Sequence, residues 1–238
     1  MSLVRAPLAL LASYSMSCVG TPPNPPISEE ERRGYASSEV KLGRALLVWP
    51  FALKTVFWAG GICESAVVLA HNFPHPPLTD RILSALLMPG HYAASLRITP
   101  TFLLGTLLTA LGAYLRHRCY KTLGRLFTYE LSVRKGHKLV TEGPYSFVRH
   151  PSYLAIGIAY AGINLCAFGR GSLLRESGIL DTKVGSVLMG ASALHTVALG
   201  FLLIGRSFSE DKVMREQFGE QWDCWAEKVR YRIIPYVF

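Results

Sequence analysis

The sequence predicts an all-α, polytopic membrane protein with about five transmembrane helices, a C-terminal helical hairpin and a cytosolic helical tail. Composition is the first reason. Half of the 238 residues are hydrophobic and 17% are charged, with a mean hydropathy of +0.26, a balance unlike that of an ordinary soluble domain. Pattern is the second, because the apolar residues gather into runs approaching the roughly 20 residues that carry a helix across about 30 Å of hydrocarbon. The third is that the basic residues flank those runs.

Residues 3–19 come first. Arg5 before a short apolar stretch fits either a signal peptide or a first span. The right flank, Cys18-Val19-Gly20 followed by the proline-rich residues 21–26, favours a retained span. Residues 21–38 combine prolines with the mixed-charge run Glu29-Glu30-Glu31-Arg32-Arg33 and read as an exposed connector. The second span lies within 42–70, the third in 98–115, the fourth, shorter one in 153–168 and the fifth in 184–204. Residues 169–183 are short enough to make the last two spans a hairpin. Glycines at 157, 162, 185, 190, 200 and 205 would let its helices approach closely. No internal repeat is visible, and the chain divides into N-terminal segments and connectors (1–95) and a core (96–238).

Orientation follows from charge. Arg116, Arg118, Lys121, Arg125, Arg134, Lys135, Lys138 and Arg149 crowd the segment between the third and fourth spans, and the C-terminal tail adds six more basic residues. The stretch 70–97 holds only Arg81 and Arg97, so the positive-inside rule puts the basic loop and the tail in the cytosol. The formal charge of +9 is explained by attraction to anionic headgroups, since the basic residues do not interleave with exposed aromatics as in a nucleic-acid surface. Five scattered cysteines without a CxxC pair, and His71, His75 and His91 without a carboxylate cluster, give no disulfide framework and no metal site.

Chemistry concentrates where the basic loop enters the fourth span. Gly143-Pro144 is a turn signal, and Pro151 fits the first turn of a helix, where its missing N–H costs nothing. The free N–H groups of that helix start, with His150, can receive an anionic group. Singly, His150 reads as an interfacial histidine and Tyr145 and Tyr153 as an aromatic belt; together with His137 and the turn they read as a pocket. At the foot of the last span, Arg206 and Glu210 share one helix face with Met214 and Phe218. An i,i+4 ion pair is the plain explanation. The alternative is that Arg206 grips a carboxylate while Glu210 accepts from an ammonium or a ribose.

The run 116–153, then Arg206-Ser207-Phe208-Ser209-Glu210-Asp211, Phe218-Gly219-Glu220-Gln221-Trp222 and Arg232-Ile233-Ile234-Pro235-Tyr236, resembles the isoprenylcysteine carboxyl methyltransferases over about residues 96–238. That resemblance implies an enzyme of the endoplasmic reticulum membrane with its active site facing the cytosol. It would transfer a methyl group from S-adenosylmethionine to the C-terminal carboxylate of a farnesylated or geranylgeranylated cysteine. The family's cofactor-binding positions carry over to His137, Lys138, Leu139, Val140, Tyr145, His150, Pro151, Ser152, Tyr153 and Glu210, and its catalytic, substrate-binding arginine to Arg206. Asp211 stands where relatives often have a second Glu, and Trp222 where many have Tyr.

An ionised carboxylate attacking a sulfonium methyl needs neither metal nor strong base, so positioning and desolvation are what the protein contributes. Two other activities fit parts of the pattern. A phospholipid methyltransferase of the same superfamily would have a cationic amine as acceptor, which Arg206 would repel. A nicotinamide-dependent sterol reductase shares the Arg-His-Pro-x-Tyr entry, but Leu154-Ala155 follow it here without the expected acidic residue. A non-catalytic scaffold that keeps the pocket is a further alternative.

Overall fold

A computed structural model describes residues 2–25, 37–129, 136 and 138–238, with the backbone alone for 37–50. Among the described residues the structure is helical. The principal helices are α1 (Arg5–Val19), α2 (Ser37–Asn72), α3 (Leu78–Leu86), α4 (Pro100–Leu123), α5 (Pro151–Phe168), α6 (Lys183–Phe218) and α7 (Glu220–Lys228).

Three segments are long and apolar enough to cross a membrane: Phe51–Asn72, Pro151–Glu176 and Lys183–Phe218. Two of the five expected spans depart from that description for physical reasons. At 15 residues, α1 is only about 22 Å long, short of the hydrocarbon thickness. It packs on α2, α4 and α5. The 24-residue α4 is long enough, but it runs on through Arg116, His117, Arg118 and Lys121, which reduce its apolarity. Those basic residues were expected in a loop and stand instead on the helix.

Sequence chemistry sets the helix ends. Thr99 caps α4 by accepting from the Phe102 N–H, with Pro100 in the first turn, and Thr182 caps α6 by accepting from Gly185. A buried ion pair, Arg5 to Glu64 at 2.8 Å, ties α1 to α2. Arg5 also donates to the Arg97 carbonyl and stacks its guanidinium 4.1 Å from the Phe102 ring centroid.

Helices α4 and α5 approach each other closely. A methyl group on Gly162 would lie 2.5 Å from the Gly105 carbonyl oxygen, and one on Gly112 would lie 2.6 Å from that of Ala155. The expected close approach within the C-terminal hairpin is met at Gly185 alone of those glycines, against the Ile179 carbonyl of the connector: Gly162 serves the α4 contact, while Gly157, Gly190, Gly200 and Gly205 face open space. Gly162→Leu should lower the thermal unfolding midpoint in detergent, at a cost of about 1–3 kcal/mol from overpacking. Gly190→Ala should leave it unchanged.

Helix α6 is the outlier. Only 6% of its most apolar window is buried against protein, and Val184, Leu194, Val197 and Phe201 are exposed, as expected for a lipid-facing helix. Its 36 residues extend about 54 Å, well beyond the hydrocarbon, so the end carrying Arg206 to Phe218 projects past an apolar stretch that closes near residue 204.

Candidate active site

The site forms where α5 begins and α6 leaves its apolar stretch. Gly143, at φ +60°, makes the turn that opens a short helical segment, Gly143–Ser146, with Tyr145 buried. The chain then runs extended through Arg149 and His150. There the C-terminal strand of residues pairs with it: Arg149 N–H donates to the Tyr231 carbonyl at 2.9 Å and His150 N–H to that of Arg232 at 2.6 Å. Pro151 starts α5, and the His150 carbonyl accepts from Tyr153 at 3.0 Å. The His150 ring makes no capping bond. Because α6 runs antiparallel to α5, Tyr153 meets Arg206 and Glu210 while His150 meets Asp211.

The contacts are dense. Tyr153 Oη donates to Glu210 Oε1 at 2.5 Å, and Arg206 Nε reaches Tyr153 Oη at 2.8 Å and Glu210 Oε1 at 2.9 Å. His150 places Nδ1 3.3 Å from Glu210 Oε2 and Nε2 2.8 Å from Asp211 Oδ1, and its ring stacks on Tyr153 at 5.4 Å. Asp211 Oδ2 also receives Arg232 Nε at 2.8 Å and Arg149 at 3.1 Å. Two carboxylates thus face three guanidiniums and an imidazole, which leaves positive charge in surplus.

With a carboxylate at each nitrogen, the ring must donate twice and is an imidazolium. Burial opposes the charge, but hydrogen bonds and attraction from Asp211 and Glu210 outweigh it and raise the His150 pKa above 6.5. A raised folded-state pKa stabilises the fold fully below the unfolded value of about 6.5, and that contribution disappears as pH climbs through the folded value. The unfolding midpoint should therefore fall as pH rises above neutrality. His150→Gln should flatten that part of the profile, which calorimetry in detergent can follow.

Two cavities flank this network. One, of about 130 Å³, is lined by Leu139, Val140, Tyr145, Arg149, His150, Ser152, Tyr153, Glu210, Asp211, Met214, Trp222 and Trp225, with Leu123, Leu126, Phe127 and Thr128. Three buried donors there lack a partner among the described residues: Arg149 Nε, Trp222 Nε1 and Trp225 Nε1. The other, of about 110 Å³, is apolar, walled by Met16, Val19, Leu53, Phe57, Ile156, Tyr160, Leu199, Leu202 and Leu203, with Arg206 at one end. Tyr153, Phe127 and Thr128 line both. The N-terminal segments α1 and α2 thus supply walls for a site whose motifs all lie after residue 96.

Of the positions expected to hold a cofactor, Leu139, Val140, Tyr145, His150, Ser152, Tyr153 and Glu210 converge on the first cavity. Lys138 and Pro151 do not line it; Lys138 is exposed and Pro151 is buried as the start of α5. His137 lies outside the described residues. Both nitrogens of His150, expected to receive an incoming anion, are engaged by Glu210 and Asp211 in this structure. Among the described residues, no group of three or more His, Cys, Asp or Glu is placed to hold a metal ion.

Sequence reasoning missed several residues that the fold brings in. Trp222 and Trp225, three apart on the amphipathic α7, carried a helical signal. Asp211 sat beside Glu210 but drew notice only as a departure from the family pattern. Arg149 and Arg232 stood within the quoted motifs but were given no role of their own. Arg116, the first charge after the apolar run 98–115, is buried by the fold. It is 3% exposed and donates to the Val19 carbonyl at 2.7 Å, Ser152 Oγ at 2.7 Å and Tyr129 Oη at 2.8 Å. It therefore joins the end of α1, the start of α5 and the partition between the cavities.

Residues 103–169 match the model of the isoprenylcysteine carboxyl methyltransferase (ICMT) family. The chain is 27% identical over 172 residues to protein-S-isoprenylcysteine O-methyltransferase B of Arabidopsis thaliana, covering 62% of this chain and 75% of the relative. It is 30% identical over 132 residues to a probable protein-S-isoprenylcysteine O-methyltransferase of Oryza sativa subsp. indica, covering 52% of this chain and 56% of that protein. A Delta(14)-sterol reductase of Gibberella zeae is also similar, at 27% over 124 residues, covering 45% of this chain and 26% of the reductase.

Proposed function

We propose that this chain, which is similar over part of its length to the isoprenylcysteine carboxyl methyltransferases, methylates the C-terminal carboxylate of prenylated cysteine using S-adenosylmethionine. One observation carries the proposal: a polar cavity and an apolar one lie back to back and meet at Tyr153, with Arg206 on one side and Glu210 on the other.

The polar cavity suits S-adenosylmethionine. Its partnerless donors, Trp222 Nε1, Trp225 Nε1 and Arg149 Nε, answer the acceptors of a nucleoside and an amino-acid carboxylate. Its acidic wall, Glu210 and Asp211, answers an ammonium and a sulfonium. When bound, S-adenosylmethionine supplies an electrophilic methyl group open to in-line displacement. Arg206 serves the acceptor. Both its contacts within the network are made by Nε, and the terminal nitrogens have no protein partner among the described residues, free to take a carboxylate. Glu210 and Tyr153 hold the guanidinium in place, and the surrounding leucines exclude water and strengthen the contact.

The apolar cavity suits the prenyl chain. Burial of each CH₂ is worth about 0.8 kcal/mol, so the chain stays at lipid depth while its carboxylate stays at the boundary. The excess of basic residues between the third and fourth expected spans and in the tail supports a cytosolic side for that boundary, and the resemblance supports the endoplasmic reticulum as the membrane. The positive surplus around Arg206 disfavours a cationic amine acceptor such as phosphatidylethanolamine.

The similarity to a Delta(14)-sterol reductase favours a second reading, a nicotinamide-dependent reductase that shares the Arg-His-Pro-x-Tyr entry. Equilibrium binding to the detergent-purified chain separates the two. Saturable S-adenosylhomocysteine binding without NADPH binding supports the methyltransferase, and the reverse pattern overturns it. Methyl transfer to phosphatidylethanolamine but not to prenylcysteine would assign a lipid acceptor instead.

A further inference from the structure

The apolar segment Phe51–Asn72 of α2 carries two side chains of opposite charge, Lys54 and Glu64. Glu64 is answered by Arg5 at 2.8 Å. Lys54 meets no carboxylate among the described residues. It is partly buried and lines the apolar cavity, whose wall carries Lys54, Arg116 and Arg206 and no acidic side chain. The packing gives its direction. Helix α1 runs antiparallel to α2, since Arg5 meets Glu64 while Ser13 donates to the Phe57 carbonyl, and antiparallel to α5, since Ala9 clusters with Cys166 and Val19 with Ala159. Helices α2 and α5 therefore run the same way, with the Phe57 and Tyr160 rings meeting at 6.2 Å. Lys54 is one turn before Phe57, about 4.5 Å nearer the end where Tyr153 and Arg206 stand. Side chains on a helix lean toward its N-terminus, so the Lys54 stem leans toward that same end.

We propose that Lys54 is a second substrate-binding group, whose ammonium holds the acceptor carboxylate together with the Arg206 guanidinium. The proposal rests on the prenylcysteine reading and deepens it. Of the three cations in the cavity wall, Arg116 is already committed, through Nε to Val19 and through its terminal nitrogens to Ser152 and Tyr129. Arg206 offers a fixed fork that orients the carboxylate, and Lys54 adds a point charge on a flexible stem. An ionisable residue within a span that faces a cavity marks such a substrate path. In the transfer, a carboxylate oxygen forms the bond to the methyl carbon, the S–CH₃ bond breaks with its electron pair left on sulfur, and no proton moves. The acceptor turns from an anion into a neutral ester. Both cations then lose their counter-charge in an apolar cavity, where an unanswered charge is costly. The pair therefore retains the acid and releases the ester.

The test uses the whole chain in a non-ionic detergent with S-adenosylhomocysteine bound, and measures affinity for N-acetyl-farnesylcysteine and for its methyl ester. The native chain should bind the acid more tightly. Lys54→Met keeps the stem and removes the charge. It should lower the acid-over-ester affinity ratio by about tenfold, the scale of one hydrogen bond to a charged group, and leave the affinities for the ester and for S-adenosylhomocysteine unchanged. In turnover the loss should fall on KM for the acid. Lys54→Arg keeps the charge and should restore most of the native ratio. Saturable S-adenosylhomocysteine binding reports a folded variant, and Lys54→Gln stands in if Lys54→Met does not fold. An unchanged ratio in a folded, uncharged variant, or an equal loss on acid and ester, would overturn the role of Lys54 while leaving the reaction standing. If the native chain binds S-adenosylhomocysteine but does not distinguish the acid from the ester, the prenylcysteine reading and the role of Lys54 fall together.

Discussion

Replacing Arg206 by alanine should abolish methyl-ester formation on a prenylcysteine, with kcat/KM falling by at least about a hundredfold, or about 3 kcal/mol, the upper range for a hydrogen bond to a charged group. The protein should still insert in membranes. Arg206 lines the apolar cavity beside Tyr153, which both cavities share, and its Nε is already committed to Tyr153 and Glu210. Only a guanidinium offers further donors in a fixed fork, so Arg206→Lys should recover little of the lost rate. Methyl transfer measured at matched membrane content checks this. Normal turnover by Arg206→Ala would remove the carboxylate from the assignment.

The second large effect belongs to Glu210 and His150. Glu210 accepts from Tyr153 and Arg206 through Oε1 and meets the imidazolium through Oε2, so one carboxylate organises both cavity walls. Glu210→Gln keeps the shape but removes the charge that holds the imidazolium. His150→Ala leaves Glu210 and Asp211 without their shared partner. Each should weaken S-adenosylhomocysteine binding by about tenfold or more, as expected when one member of a buried charge pair is lost. Isothermal titration in detergent measures it, and unchanged affinity in both variants would contradict their assignment to the donor side.

Much of this was legible in the chain. The Pro151 helix start, the 184–204 apolar run and the Arg206/Glu210 spacing each follow from local rules, namely missing N–H groups, hydrocarbon thickness and helical periodicity. Those rules pointed to two regions that the fold brings into contact at Tyr153, Arg206 and Glu210. What stayed hidden were contacts made over long sequence separations. Nothing near Arg232 tells that its carbonyl accepts from His150 and its guanidinium binds Asp211. Nothing near Met16 or Phe57 tells that they wall a cavity completed by α6. The glycines misled for a related reason, because small residues permit close approach without naming the partner, and Gly162 met α4. Arg116 was read as one charge among many in a basic loop, whereas the helix continues through it and buries it.

The most direct test of the two-cavity account is methyl transfer by this chain alone, purified and reconstituted in vesicles, from radiolabelled S-adenosylmethionine to N-acetyl-farnesylcysteine. The account predicts alkali-labile label on the acceptor, inhibited by S-adenosylhomocysteine and lost when the acceptor's carboxylate is blocked as an amide. Label that persists on the blocked acceptor, or no transfer at all from a chain that binds the donor, would contradict it.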